Sequence, residues 1–219
     1  MTEFSAYLTV LGVTLVAYLM GSLSFAVIVS RLMGLNDPRT YGSKNPGATN
    51  VLRSGSRAAA IVTLLLDALK GWLPVALVGW FGKPYGLAEG TLALVGLAAF
   101  LGHLFPVFFR FEGGKGVATA LGVCVGFHWG LGLVVMVSWA LVALLFRYSS
   151  LASLVAAVFA PVAYLFGSGV GWHFDKTIFV ALVVMGAFLI ARHALNISRL
   201  VKGTESKLGA QVAKPGKVG

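Results

Sequence analysis

Long apolar segments, separated by short polar or glycine-containing turns, make up most of the 219-residue chain. About 20 apolar residues in helical form cross the hydrocarbon core of a bilayer. Six segments approach or exceed that length: residues 7–30, 58–81, 88–109, 131–146, 151–166 and 174–191. The pattern predicts an all-α integral membrane protein, a bundle of transmembrane helices.

A shorter apolar run at residues 117–127 decides the number of spans. If it is a helix of its own, the chain has seven spans; if it fuses with residues 131–146, the chain has six. Cytoplasmic segments are enriched in Lys and Arg, and the seven-span arrangement places most of the basic residues on one side. These are Arg31, Arg39, Lys44, Arg53, Arg57, Arg110, Lys115, Arg147, Arg192, Arg199, Lys202, Lys207, Lys214 and Lys217. We therefore predict seven spans, with the N-terminus outside and the C-terminus cytoplasmic.

Composition and charge agree with a membrane protein. The chain is 58% hydrophobic and 11% charged, less than half of the roughly 25% charge typical of soluble domains, so an ordinary soluble domain and a disordered chain are both excluded. The net charge of +10 is interpreted as a determinant of orientation and of attraction to the bilayer, not as a nucleic-acid signal. Residues 1–203 are predicted to form one membrane domain, and residues 204–219 a loose polar tail. The first apolar stretch follows Glu3 and exceeds the length of a signal-peptide core, so it is expected to stay as a span.

The predicted cytoplasmic connection at residues 31–57 is longer than a plain loop requires and contains the run Gly42-Ser43-Lys44-Asn45-Pro46-Gly47. Asn45-Pro46 is typical of a helix start. The short helix is expected to end before Ser54, and Ser56 to cap the next span. A helix N-terminus preceded by Ser43 and Lys44 outlines an anion site; an interfacial helix with ordinary caps is the alternative.

Glycines surround Lys115 in the run Glu112-Gly113-Gly114-Lys115-Gly116, which leads directly into the short apolar segment. Glycine lets the backbone approach a ligand and direct N–H groups at a phosphate. The spacing is not that of a Walker A loop. A plain tight turn explains the same residues.

Two further clusters combine polar residues with apolar segments. At the end of the last span, a continuing helix would place His193 and Asn196 on one face and align Arg192, Asn196 and Arg199; snorkelling arginines are the alternative. Asp67 and Lys70 lie inside the second span, where ionisable groups are expensive and often functional. A structural ion pair between them is the alternative.

The sequence lacks the residues that several kinds of chemistry require. No acidic residues lie at metal-ligand spacing, and Cys124 is the single cysteine, so neither a metal nor a cofactor is expected. There is no Gly-x-Ser-x-Gly sequence and no histidine followed five positions later by aspartate. The predicted chemistry therefore handles anions without a covalent nucleophile.

Four sequence blocks together resemble one bacterial family, the acyl-phosphate-dependent glycerol-3-phosphate acyltransferases (the PlsY family). The blocks are GSKNPGATNVLR, DALKG, GHLFPVFFRFEGGKGVAT and RHALNISRLVKGTE, and FRYSSLAS is also similar. The resemblance implies seven spans with the motifs on the cytoplasmic face of the inner membrane. It also implies transfer of an acyl group from acyl phosphate to the 1-hydroxyl of glycerol 3-phosphate, giving lysophosphatidic acid and phosphate in the first step of phospholipid synthesis.

Site roles follow from the resemblance, residue by residue. A catalytic group is implied that comprises Ser43, Arg53, Lys115, His193 and Asn196. Substrate or phosphate contacts are implied for Asn45, Asn50, Lys70, Gly113, Gly114 and Ser153. Asp67 and Glu205 are interpreted as structural ion-pair residues, with Glu205 holding the tail. The base is left open between His193 and the substrate's own phosphate.

Rival functions make different sequence predictions. An organophosphate transporter, the main alternative, predicts midplane sites and repeated halves, and no halves match here. A lipid-phosphate hydrolase needs an activated water or a histidine nucleophile with an acid partner. A scaffold leaves the glycine–lysine run and the Asp67–Lys70 pair unexplained.

Overall fold

A computed structural model describes residues 3–209, and its regular elements in that range are helical. The α-helices are α1 Glu3–Gly21, α2 Phe25–Leu32, α3 Ala48–Leu52, α4 Arg57–Phe81, α5 Glu89–Leu104, α6 Val117–Phe127, α7 Trp129–Phe146, α8 Ser149–Phe166, α9 Lys176–Arg192 and α10 Ala194–Val201. Two 3₁₀ turns, Lys83–Tyr85 and Val107–Phe109, flank α5. The all-α prediction is confirmed. Residues 210–219 of the predicted tail lie outside the described range.

Within residues 3–209, five helices, α1, α4, α5, α7 and α8, are long and apolar enough to cross a bilayer, and the bent pair α9–α10 makes a sixth if it counts as one span. The 11-residue α6 rises about 16 Å, roughly half of a 30 Å hydrocarbon core. It is separate from α7, as predicted, because His128 has an extended backbone and its Nδ1 accepts the Gly130 N–H at 3.1 Å. Seven spans and the orientation of the termini stay predictions.

The segment predicted as the first span, residues 7–30, contains two helices, α1 and α2, with a break at residues 22–24. At Gly21, the last residue of α1, the absence of a side chain lets the helix pack on the backbone of α5, since a Cβ there would collide with Ala99. At the break, the Leu23 carbonyl accepts a 2.6 Å hydrogen bond from Lys70 Nζ of α4. This bond satisfies a backbone oxygen that the interrupted helix leaves open inside an apolar region.

The centre of the bundle is a close contact between α4 and α6. A Cβ on Gly71 would collide with the Thr119 carbonyl, and one on Gly122 with the Ala68 carbonyl. The glycines therefore let the two helices approach until their backbones touch. Fully buried side chains fill the surrounding core: Val75, Val95, Phe100, Leu104 and Val123.

Two local helix predictions need correction. α3 begins at Ala48 with Gly47 as its N-cap, so the start predicted at Asn45-Pro46 is two residues early; the Ser56 cap of α4 is confirmed, accepting the Ala59 N–H at 3.2 Å. The last helix does not run straight through His193: α9 and α10 meet there at 59°. The predicted straight stripe through Arg192 and Asn196 is therefore wrong.

Candidate active site

The three polar segments singled out in the sequence meet at the end of the bundle where α4, α6 and α8 begin. The Pro46 carbonyl lies against Gly114, since a Cβ added there would be 2.8 Å from it. Lys115 Nζ donates a hydrogen bond to Asn196 Oδ1 of α10. The 42–53 segment, the glycine loop and the last helix thus form one cluster.

A chain of hydrogen bonds links the glycine loop to the segment after α10. Beyond Lys115, the Asn196 amide donates to Glu205 Oε1 at 2.6 Å. The same carboxylate accepts from Ser150 Oγ at 2.7 Å and from Arg199 Nε at 2.9 Å. Glu205 thus joins α8 and α10, and residues 204–209 of the predicted loose tail include a segment fixed to the bundle.

Positive charge exceeds negative charge around Lys115. Burial, together with the charges of Arg199, Arg53 and Arg192, lowers the pKa of Lys115 to about 8, and Glu205 opposes this shift. Among the described residues, three arginines thus act on Lys115, and one carboxylate, that of Glu205, acts on it with the opposite sign. Such a site favours an anion, because the excess positive charge needs a counter-charge.

The Glu205 carboxylate stays ionised. Burial raises its pKa, but hydrogen bonds from Ser150, Asn196 and Arg199 outweigh burial, so the pKa lies below the ordinary value. The carboxylate therefore orients Asn196 and Arg199 as an acceptor.

His193 lies at the bend between α9 and α10 and is 2% exposed. Its Nδ1 is 2.7 Å from the Leu189 carbonyl oxygen. Because a carbonyl oxygen only accepts, we assign the ring proton to Nδ1, which leaves Nε2 as the acceptor in the neutral ring. The bend thus presents a histidine whose tautomer suits a general base.

The Gly113–Gly114 pair is held on two sides. The Gly114 N–H donates to the His103 carbonyl at 3.1 Å, and Arg192 donates to the Gly113 and Gly114 carbonyls at 2.7 and 3.0 Å. A Cβ on Gly113 or Gly114 would collide with His103 atoms. The glycines are therefore required by packing as well as by any ligand.

Asn50 organises the 42–53 segment from within. Its side-chain amide donates to the Pro38 and Tyr41 carbonyls at 2.6 and 3.1 Å, and its Oδ1 accepts the Ser43 N–H at 3.0 Å. The predicted substrate contact at Asn50 is not supported by this geometry, because the loop backbone engages both ends of the amide. Ser43 is exposed and Asn45 is half-buried.

Arg53 packs across this segment. A Cβ on Gly42 would lie 3.3 Å from Arg53 Nη1, and Gly42 has a φ of 59°. The absence of a side chain at Gly42 therefore leaves room for the guanidinium.

Lys70 and Ser153 bind protein groups other than those of the Lys115 cluster. Lys70 is 4% exposed and pairs with Asp67 at 2.8 Å besides binding Leu23. Ser153 Oγ donates to the Ser149 carbonyl at 2.7 Å and accepts from Trp139 at 3.1 Å. The phosphate and substrate contacts predicted for Lys70 and Ser153 stay predictions, and the ion pair considered as the alternative for Asp67 and Lys70 is present.

Sequence reasoning missed three residues. Ser150 contacts Glu205, where Ser153 had been chosen from the same FRYSSLAS block. Arg192, for which snorkelling was the alternative to a polar stripe with Asn196 and Arg199, binds the glycine loop. His103 lies 3.6 Å from Asp67 and 3.1 Å from Thr119 Oγ1, directly beneath Gly114. Spacing could not show these contacts, which join helices far apart in sequence.

The helices and the cluster define an integral membrane protein with a group of basic side chains at one end of its bundle. The sequence profile described as glycerol-3-phosphate acyltransferase matches residues 11–203. The chain belongs to the glycerol-3-phosphate acyltransferase family, so the resemblance seen in its motifs is confirmed.

Individual relatives agree with this assignment. A glycerol-3-phosphate acyltransferase of Albidiferax ferrireducens is 69% identical over 91% of this chain and 89% of its own. One from Bordetella petrii is 60% identical over 89% of this chain and 91% of its own.

Solved structures share the fold. The crystal structure of PlsY (YgiH), an integral membrane glycerol 3-phosphate acyltransferase, in its glycerol 3-phosphate form has a TM-score of 0.83 at 39% identity, over 92% of this chain and 96% of that one. Its lysophosphatidic acid form has a TM-score of 0.81 at 38% identity, with the same coverage.

Proposed function

We propose that the protein transfers a fatty acyl group from acyl phosphate to the 1-hydroxyl of sn-glycerol 3-phosphate. The products are 1-acyl-sn-glycerol 3-phosphate and inorganic phosphate, and the reaction begins phospholipid biosynthesis. The observation that carries the proposal is the cluster of Arg53, Arg192 and Arg199 around Lys115, in a family of glycerol-3-phosphate acyltransferases. Each of the two substrates has a phosphate group, and the positive charges of the cluster attract both groups.

An acyl phosphate is a mixed anhydride, so its acyl group is already activated. The glycerol hydroxyl oxygen forms a bond to the carbonyl carbon, and the bond from that carbon to the phosphate oxygen breaks. The hydroxyl proton leaves to a base, and phosphate departs with the electron pair. The protein has to bring two anions together and stabilise the carbonyl oxyanion, without a covalent intermediate.

The residues divide these tasks by charge. Lys115 and Arg53 bind phosphate groups, because they are cations beside an exposed segment. Ser43 and Asn45 position the substrates from that segment. Asn196, whose amide donates to Glu205 and whose carbonyl oxygen accepts from Lys115, keeps the Lys115 ammonium group in place.

His193 Nε2 is the proposed base, because the Leu189 carbonyl holds the ring in the required tautomer. The substrate's own phosphate is the alternative base. The two differ in what happens when the imidazole is removed, as set out below.

The proposed location is the inner membrane, with the site on the cytoplasmic face. The support is the basic residues of the connections at this end of the bundle, which follow the positive-inside rule. The acyl chain enters from the bilayer, where the helices present apolar side chains.

The test uses the purified full chain in lipid, with palmitoyl phosphate and labelled glycerol 3-phosphate. Palmitoyl-coenzyme A and palmitoyl-acyl carrier protein serve as parallel donors. We expect labelled lysophosphatidic acid from palmitoyl phosphate, and a loss of at least about 10²-fold in the Lys115→Met variant. Product from the thioesters alone would contradict the donor, and substrate uptake into vesicles without product would favour the transporter.

A further inference from the structure

The donors of Arg192 are directed at backbone carbonyls. Its guanidinium binds the Gly113 carbonyl at 2.7 Å and the Gly114 carbonyl at 3.0 and 3.2 Å. The guanidinium carbon lies 5.9 Å from the Phe105 ring centre, so one face is covered. A snorkelling arginine has its charge in water, whereas this one is committed to a loop.

The same two residues are fixed from the opposite side by α5. The Gly114 N–H donates to the His103 carbonyl at 3.1 Å, and Gly113 packs against the carbonyls of His103 and Leu104. The loop is therefore clamped between the end of α5 and the end of α9.

The clamp determines which way the backbone C=O and N–H groups of the loop point. The C=O and N–H of a trans peptide point in opposite directions, so a carbonyl turned towards Arg192 turns the next N–H away from it. Carbonyl oxygens repel an anion and N–H groups attract one. With the Gly114 carbonyl bound by Arg192, the Lys115 N–H has its direction fixed.

We infer that Arg192 is a positioning residue, which binds the carbonyls of Gly113 and Gly114 and thereby orders the glycine loop for phosphate before any substrate arrives. The inference rests on the proposed function for the identity of the ligand. Its structural part, the ordering of the substrate-free loop, is independent of which reaction the protein catalyses.

The first experiment compares Arg192→Lys with Arg57→Lys, an exposed arginine at the start of α4, in the purified full chain. An ammonium group has the charge of arginine but no planar fork for two carbonyls. We expect Arg192→Lys to raise KM for glycerol 3-phosphate about tenfold, which corresponds to about 1.4 kcal/mol, with kcat within about threefold. Arg57→Lys should match the wild type.

The second experiment measures hydrogen–deuterium exchange of residues 110–118 without substrate. Arg192→Lys should speed exchange of the Gly114 amide, which the His103 carbonyl protects in the wild type, while peptides of α4 stay unchanged. A raised KM with unchanged exchange would mean that Arg192 binds substrate directly, and would overturn the inference. So would unchanged KM and exchange.

The two hypotheses fail separately. If the wild type makes no lysophosphatidic acid from any donor, the proposed function fails, while the exchange experiment still decides whether Arg192 orders the loop. If the wild type is active and Arg192→Lys exchanges like the wild type, the proposed function stands and the positioning role is wrong.

Discussion

The imidazole of His193 shows how one hydrogen bond prepares a side chain for chemistry. The Leu189 carbonyl oxygen, 2.7 Å from Nδ1, fixes the ring proton on that nitrogen. Because α9 ends at a bend, the ring does not lie on the face of one continuous helix. Nε2 is then the acceptor nitrogen of the neutral ring. His193 is thus oriented by backbone alone.

Replacing His193 by Gln tests whether this nitrogen is the base. Glutamine can still donate to Leu189 but does not accept a proton at neutral pH, so kcat should fall about 10²-fold or more with KM nearly unchanged. Steady-state kinetics with palmitoyl phosphate measures this. His173→Gln is the control, because that side chain is exposed beyond α8. A normal kcat with a raised KM would instead assign the proton to the substrate phosphate.

Lys115 predicts a dependence on alkaline pH. Burial brings its pKa to about 8, so its positive charge is present below pH 8 and is lost above it. Phosphate monoesters have their second pKa near 6 and keep their charge across this range. KM for glycerol 3-phosphate should therefore rise between pH 7.5 and 9.5.

Two variants isolate the group responsible. Glu205 raises the pKa of Lys115, so Glu205→Gln should move the rise in KM to lower pH. Lys115→Arg should flatten the profile, because arginine stays charged above pH 12. A wild-type KM that is constant to pH 9.5 would contradict the assignment of the phosphate contact to Lys115.

At the scale of elements, the contact between α4 and α6 determines where the glycine loop can sit. α6 follows the loop directly, and Gly71 and Gly122 allow its backbone to touch α4. A wider separation would displace the start of α6 and with it Lys115. The short helix thus transmits packing in the core to the site.

Gly122→Ala should destabilise the protein. Its Cβ would collide with the Ala68 carbonyl, and overpacking of this kind costs about 1–3 kcal/mol. Gly12→Ala is the matched control: it is also helical, has open space around its Cα, and should be neutral or stabilising by up to about 1 kcal/mol. Thermal unfolding in one detergent compares them. Equal melting temperatures would disprove the close contact.

At the scale of the whole molecule, charge and helix order make a topological prediction. The chain crosses the bilayer seven times only if the short α6 counts as a crossing, and the basic loops then share one face. The 3₁₀ turn Lys83–Tyr85 lies on the opposite side from Ser206 in that arrangement.

Labelling of added cysteines from one side of the membrane tests the orientation. The native Cys124 is 2% exposed and should not react with an impermeant maleimide, so the wild type is the blank. Lys83→Cys should label in intact spheroplasts, and Ser206→Cys only in inverted vesicles. Labelling of both variants from the same side would contradict the seven-span topology.

The sequence predicts apolar segments well and breaks within them poorly. Residues 117–127 were predicted as a separate helix and are one, because charge placement and glycine boundaries are local signals. The break at Ser22–Ser24 escaped prediction, because its stabilising partner, Lys70, is 47 residues away from Leu23. The bend at His193 escaped for a related reason, since no proline or glycine marks it.

For the site as well, the motifs were predictable from the sequence and the long-range contacts were not. Lys115, Asn196, His193 and Glu205 stand in recognisable motifs, and the structure brings them together. Two features of the site could not be predicted from the motifs. Ser150 is the serine of the FRYSSLAS block that contacts Glu205, and the Asn50 side chain binds the backbone of its own loop. Both depend on tertiary contacts that the sequence does not show.

The position of Glu205 has a consequence for biosynthesis of the protein. Arg53 is translated early and Glu205 after the last helix, yet both influence the ammonium group of Lys115. When α1 to α8 have been translated, the chain has Arg53 and Lys115 but not yet Arg192, Arg199 or Glu205. The charge balance of the site is therefore completed only after α10 has left the ribosome, which delays a functional phosphate site until the bundle around it is in place.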